Sequence, residues 1–293
     1  MTGPTRPQPL PGLLLRLTGP LQSWGERSHF NQRDTAGFPT RSGVIGLLAS
    51  ALGRQRDQPL DDLARLSLTV RADRPGVLLR DLHTVGGGLP PKQTVTTAEG
   101  KKRGGDTGAL LSHRYYLADA AFTIALTAAS EPSGEEAQKD LLARCARALD
   151  KPRWPLYLGR RSCPPEGPVL LGTSDDTLHH LLRLPLAADK PKTPRGVEFL
   201  SDQPLDRLPV QAGPTGPAEP TTPADGDGAH TSSKVNDEPL SFHPRRRSYR
   251  DRPLYRRTLH LPQTPYAGLG ANQLKALDSY LSEHLARTEG KGR

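Results

Sequence analysis

The chain has 293 residues, only 34% of them apolar, with 29 glycines, 30 prolines and a formal charge of +9 at pH 7. That length allows roughly two domains. The Gly/Pro load requires extensive loops, and the basic balance selects an anionic partner, nucleic acid first. No run approaches the eighteen apolar residues of a membrane span, and two cysteines make neither a disulfide framework nor a metal site.

In chain order, a Pro-rich tail over 1–12 precedes Leu13–Thr18, an apolar run that reads as a buried strand stopped by Gly19-Pro20. Residues 42–52 read as a helix with a broad apolar face ended by Gly53. A short helix over Leu60–Leu66 leads to a strand over Ser67–Arg71. The turn "DRPG" and a second strand over Val77–Val85 make this pair read as a hairpin. Residues 86–112 are Gly-rich, polar and basic, with little to bury, and read as a long excursion. Residues 115–128 resume strand character, Glu135–Asp150 form an amphipathic helix, and Val169–Leu171 supply a further strand. The β-α-β-β, then β-α, succession is the kernel of a ferredoxin-like or RRM-like sheet. Residues 201–233, with ten Gly or Pro and no aromatic, read as a disordered insertion. A last helix runs over Ala271–Arg287, with Leu274, Leu277, Leu281 and Leu285 at helical spacing.

Four stretches carry candidate chemistry. In "GPLQSWG" (19–25), Trp24 offers a stacking face for a base, with Gln22 and Ser23 as hydrogen-bonding groups and Gly25 allowing close approach; the alternative is a tryptophan capping the core. In "PTRSG" (39–43), Thr40, Arg41, Ser42 and Gly43 open a helix whose free amides suit a phosphate; ordinary N-capping reads the same. "YLGRRSCP" (157–164) holds Arg160, Arg161 and Ser162 in a Gly-flanked loop able to grip a bent backbone, or simply a solvated charge pair. "FHPRRRSYRDRPLYRR" (242–257) sets seven arginines, Arg245, Arg246 and Arg247 among them, against one aspartate. Phe242, Tyr249 and Tyr255 are interleaved, and strand alternation directs Arg250, Arg252 and Arg256 to one face. Charge with aromatic platforms suits a single strand; a charge-guarded edge strand is the plainer reading. The 30 arginines against 10 lysines have a similar pair of readings, GC-rich codon usage or bidentate phosphate recognition. No Walker loop, HExxH, GxSxG or paired-carboxylate signature occurs.

With GPLQSWG, FPTRSGVIGLLASALG, DLHTV, YLADAAFTIAL and YLGRRSCP in this order, the chain resembles the CasD family, the RAMP-type subunit of the type I-E CRISPR surveillance complex Cascade. The resemblance runs from about Leu13 to Leu171 and resumes from DEPLSF to about Leu261. It implies an α+β fold: an RRM-like (ferredoxin-like) domain over 13–172 with a long β-hairpin thumb over 82–114, and a smaller C-terminal β-rich part over 173–262. Residues 263–293 are left as a helical extension that inherits no role. It implies a non-catalytic role, binding the 5′ handle of crRNA and the adjoining spacer, and anchoring the backbone and large subunits for antiviral defence. GPLQSWG and PTRSG would form one side of a handle pocket, and Arg160, Arg161 and Ser162 the other. The thumb would lie across the spacer RNA, flanked by His83 and Arg114, with Lys101, Lys102 and Arg103 added on charge grounds. No cofactor, metal, membrane contact or homo-oligomer is expected, and the location is cytoplasmic. The alternative is a metal-independent endoribonuclease cutting repeat RNA, an activity of a sister subfamily in type I-C systems, with His113, Tyr115 and Tyr116 nearest to acid and base.

Overall fold

The computed structural model describes residues 8–25, 28–29, 31–85, 90–94, 101–102, 110–128, 135–190, 196–209, 231–261 and 265–285. The tail residues 1–7, most of the thumb excursion and residues 210–230 therefore lie outside the described residues, as does the end of the expected last helix.

Strand β1 (Gly12–Thr18) is almost wholly buried, which is why its sequence is a continuous apolar run rather than an alternation. Period two still sorts its side chains: Leu13, Leu15 and Leu17 enter one core, Leu14 the other. The chain then makes three two-residue strands, β2 (Leu21–Gln22), β3 (Ser28–His29) and β4 (Gln32–Arg33), before helix α1 (Arg41–Ala51). Thr40 caps α1, its Oγ1 accepting from the Gly43 amide. The expected short helix shrinks to a 3-10 turn over Leu63–Arg65.

Strand β5 (Leu66–Arg74) and strand β6 (Val77–Val85) form where expected but do not pair with each other. The hairpin reading of "DRPG" is thus corrected: β5 pairs with strands β8 (Ala121–Ala128) and β10 (Val197–Ser201), whereas β6 pairs along its full length with β7 (Leu110–Ala118). The turn carries the chain from one sheet to another. Gly76, at φ +77, brings its backbone so close to the β7–β8 corner that a Cβ would meet the Ala118 carbonyl at 2.7 Å. Residues 115–128, expected as one strand, break at Asp119, which sits at φ 56 and is held by the Arg74 guanidinium on its carbonyl (2.9 Å) and carboxylate (2.8 Å).

Helix α2 (Glu135–Asp150) has the expected bounds, and strand β9 (Leu170–Ser174) follows. Helix α3 (Thr177–Arg183), β10, the long hairpin β11 (Thr231–Ser241) and β12 (Ser248–Leu259), and helix α4 (Gly270–His284) complete the chain. One seven-stranded sheet runs β11-β12-β10-β5-β8-β1-β9, antiparallel in every neighbouring pair, so the C-terminal strands continue the same sheet. A smaller sheet runs β2-β7-β4-β3, with β6 on the other edge of β7. The expected disordered insertion is too wide at both ends: Leu205 and Leu208 are buried core residues, and Thr231–Ser233 already belong to β11.

The two faces of the large sheet are both covered. Helices α1 and α2 supply Val44, Leu48, Leu141 and Cys145 to one core; α3 and α4 supply Leu181 and Leu277 to the other. An open sheet face, on which RRM-like modules stack bases, is therefore absent among the described residues. Among the described residues no helix is long and apolar enough to cross a membrane.

Candidate nucleic-acid interface

Three of the four motifs meet. The Ser23 amide donates to the Leu158 carbonyl (3.0 Å) and the Ser23 hydroxyl to the Tyr115 carbonyl (3.2 Å), joining GPLQSWG to the GRR loop and to β7. Gly159, at φ +91, lies so near that a Cβ would fall 1.7 Å from the Ser23 carbonyl oxygen, so only glycine allows this approach. The PTRSG segment closes on the same stretch: a Cβ on Gly43 would meet the Trp24 ring at 2.6 Å.

The meeting is made by burial, which overturns several expected contacts. Trp24 is 1% exposed and offers no stacking face for a base. Its indole N–H donates to Gln22 Oε1 (3.0 Å), and Gln22, fully buried, donates in turn to the Leu17 and Ala120 carbonyls (3.0 and 2.9 Å). The Trp24–Gln22 pair is a satisfied core device, since a buried indole N–H and amide need partners. Ser23 is buried as well, which leaves Gly25 as the exposed end of the motif.

The tip of α1 is likewise already engaged. The Arg41 amide donates to Asp237 Oδ2 at 2.7 Å, so a carboxylate from β11 takes the anion position expected for a phosphate. The Arg41 guanidinium, 5% exposed, pairs with Asp202 and Glu238 and donates to the Leu66 and Ala64 carbonyls (2.7 and 2.6 Å). Asp237 also accepts from Arg252 at 2.6 and 3.0 Å. Three carboxylates against two guanidiniums disfavour a further anion, and the buried Arg41 and Thr40 serve the fold here rather than the expected phosphate. Desolvation pushes the Asp202 carboxyl above the usual carboxylate range, with the Arg41 charge opposing it. Ser42 and Gly43 stay half-buried at this tip.

The GRR loop divides its labour. Arg160 donates to the Tyr115 carbonyl (3.1 Å), the Arg33 carbonyl (2.8 Å) and the Asp34 carbonyl (3.2 Å), with its guanidinium 4.9 Å over the Tyr116 ring. It fastens the loop to β7 and β4. Arg161 and Ser162 are left exposed, the Ser162 hydroxyl 3.5 Å from that of Tyr116. Cys163 behind them is buried and its thiol raised by desolvation; at Cys145 burial pushes the thiol up to about 11. No set of three or more His, Cys, Asp or Glu able to hold a metal ion occurs among the described residues.

Arg33 is a functional candidate that the sequence reading missed. β4 runs parallel to β7 with Gln32 opposite His113 and Arg33 opposite Arg114, and the His113 amide donates to the Asn31 carbonyl (2.8 Å). This two-residue strand leaves no periodic signal in the chain. It sets an exposed Arg33 beside the half-buried Arg114, at the loop that carries Arg161.

The remaining expected residues are scattered. His83 is half-buried on β6, its Nδ1 3.5 Å from Asp81. Lys101 is exposed, Lys102 donates to the Thr94 carbonyl (3.0 Å), and Arg103 lies outside the described residues. Arg245, Arg246 and Arg247 are exposed in the β11–β12 turn. The expectation for the strand beyond them is corrected: the face holding Arg252 and Leu254 is the buried one, with Arg252 ion-paired to Asp237. Arg250 is exposed, whereas Arg256 pairs with Glu198 (3.0 Å) and lies 5.3 Å over the Phe38 ring.

Comparison with known proteins gives this geometry a relation. The family described as "CRISPR-associated protein (Cas_Cas5)" matches residues 12–255. The chain is 40% identical over 171 residues, 55% of its length and 70% of the relative's, to the "CRISPR system Cascade subunit CasD" of Escherichia coli (strain K12). A solved chain described as "CRISPR RNA-guided surveillance complex" superposes with a TM-score of 0.71 at 36% identity, covering 92% of this chain and 99% of that one. Another, described as "Crystal structure of Cas protein", gives 0.52 at 32% identity, with 89% and 99% covered. The chain belongs to the Cas5/CasD family of CRISPR-associated proteins.

Proposed function

We propose that this chain is the CasD subunit of a CRISPR Cascade surveillance complex, a non-catalytic module that holds the 5′ handle of crRNA and anchors the backbone and large subunits beside it. The strand order β9-β1-β8-β5, with α1 and α2 on one face, supports a ferredoxin-like, RRM-like core whose β6–β7 ribbon is the base of a thumb. The observation that carries the reading is the loop over 159–162. Arg160 fastens it at three points, to the Tyr115, Arg33 and Asp34 carbonyls, and the Leu158 carbonyl just before it accepts from the Ser23 amide, yet Arg161 and Ser162 are left outward beside Arg33. A preorganised pair of exposed guanidiniums beside Arg114 grips phosphates without first paying the entropy of ordering. Gly25 leaves room for a backbone to approach, and Trp24 contributes by holding the motif's shape from behind.

Fluorescence anisotropy with an RNA carrying the handle, against one with the handle scrambled, tests this at fixed salt. Replacing Arg33 and Arg161 by alanine should weaken handle binding with thermal stability unchanged, and lower the log–log salt slope by about 1.4, at ~0.7 per phosphate contact on a single strand. Equal affinity for the two RNAs refutes handle recognition. Incubation of repeat RNA in EDTA should leave it intact; products ending in a 2′,3′-cyclic phosphate would favour the endoribonuclease reading, with His113 and Tyr115 on one face of β7 as acid and base.

A further inference from the structure

Two groups of arginines differ in what they face. Arg41, Arg71, Arg252 and Arg256 each face a carboxylate. Arg245, Arg246, Arg247 and Arg250 are exposed and make no side-chain ion pair or hydrogen bond among the described residues. The acids nearest in the hairpin are already taken: Asp237 by Arg252, Glu238 by Arg41, and Asp251 by the Asn236 amide (2.6 Å). The β11–β12 turn is thus a concentrated positive tip whose Arg245, Arg246 and Arg247 side chains meet no carboxylate among the described residues.

The aromatic residues that interleave these arginines in sequence do not accompany them in space. Phe242 packs against the first core, where a Cβ on Gly46 of α1 would touch its ring at 3.7 Å. Tyr255 packs against the second core, and Tyr249 is half-buried opposite Pro239. A surface for a splayed single strand needs stacking faces as well as charge. This tip supplies charge alone, which suits a nucleic acid whose bases are already stacked and paired.

We propose that the Arg245–Arg247 turn is a second nucleic-acid contact, separate from the handle pocket, that grips the phosphate backbone of a base-paired duplex. Three consecutive residues with Cα atoms about 3.8 Å apart fan their guanidiniums over a polyanion carrying one charge per ~1.7 Å of helix axis. Such contacts position a duplex without reading its sequence. The turn keeps its shape through backbone donors, the Arg246 amide to the His243 carbonyl (3.1 Å) and the Arg245 amide to His243 Nδ1 (3.2 Å). Side-chain substitutions there leave both bonds in place. The two sites also meet α1 at different residues, the pocket at Gly43 through Trp24 and the turn at Gly46 through Phe242.

The test titrates a labelled 20-base-pair DNA duplex of arbitrary sequence into the full chain already saturated with handle RNA, over a range of salt. The wild type should bind the duplex while the RNA stays bound. The R245A/R246A/R247A variant should lose at least tenfold in duplex affinity and about 2.7 in log–log salt slope, at ~0.9 per duplex phosphate. The R245K/R246K/R247K variant should restore most of both, and handle affinity should stay within twofold throughout. Displacement of RNA by duplex, an unchanged slope in the alanine variant, or loss of handle RNA instead of duplex binding would each overturn the proposal. Loss of handle preference with the duplex slope intact would strike the pocket reading alone.

Discussion

Replacing Arg41 by methionine separates the two roles open to this residue most sharply. Methionine keeps much of the length and removes the charge, leaving Asp202 and Glu238 buried without their cation and the Leu66 and Ala64 carbonyls without a donor. Breaking a buried ion pair from one side costs about 3–5 kcal/mol, because the abandoned charge has no solvent to turn to. At roughly 2–4 °C per kcal/mol for a chain of this size, the melting temperature should fall by about 6–20 °C. Desolvation already raises the Asp202 carboxyl, so part of the cost is relieved by proton uptake and the deficit should shrink as pH is lowered. The sign follows from linkage: a carboxyl raised in the folded state binds its proton more readily there, so its contribution is present at low pH and lost as pH rises through the folded value. Differential scanning fluorimetry at pH 5 and pH 8, beside anisotropy with handle RNA, measures both. A melting temperature within 2 °C of wild type, with RNA affinity lost, would mean that Arg41 is a phosphate ligand after all and that the buried network has been misjudged.

Gly159→Ala should weaken RNA binding more than Arg161→Ala does. It places a Cβ 1.7 Å from the Ser23 carbonyl in a residue at φ +91, so the whole loop must move and carry both arginines with it; strain of about 1–2 kcal/mol accompanies the shift. The reverse ranking in anisotropy would show that loop position is immaterial. The α3–α4 contact predicts a pH dependence. His180 Nδ1 lies 2.8 Å from the Tyr280 hydroxyl, and burial, then the neighbouring His179, hold its pKa below 6.5, with Asp176 raising it and His284 and Arg183 lowering it. The unfolded chain takes the proton first, so stability is full above about pH 6.5 and declines as pH drops through the window below it. Melting temperature from pH 7.5 to 5 should therefore fall more steeply in the wild type than in His180→Gln; parallel curves would exclude His180 as the source.

Local physics wrote a large part of this molecule into the chain. The run Leu13–Leu17 and the helix 135–150 stand where their apolar spacing puts them, because burial on one face or two imposes a period that neighbouring residues alone reveal. The charge excess and five ordered motifs likewise pointed to the family. Pairing and polarity were not decided locally. Nothing in "DRPG" says that β6 leaves β5 for β7, since either partner satisfies the same backbone groups. Trp24, Gln22 and Arg41 have the chemistry of ligands and became core because a partner arrived from far along the chain: Ala120 for Gln22, and Asp202, Asp237 and Glu238 for Arg41. Arg33 gained its place through a two-residue strand too short to leave a pattern. Sequence alone settled where β1, α1 and α2 lie and that the charge of the chain suits an anionic partner. The tertiary structure decided which arginines remain free to meet that partner, because a guanidinium's role depends on whether a carboxylate or carbonyl distant in sequence has reached it first.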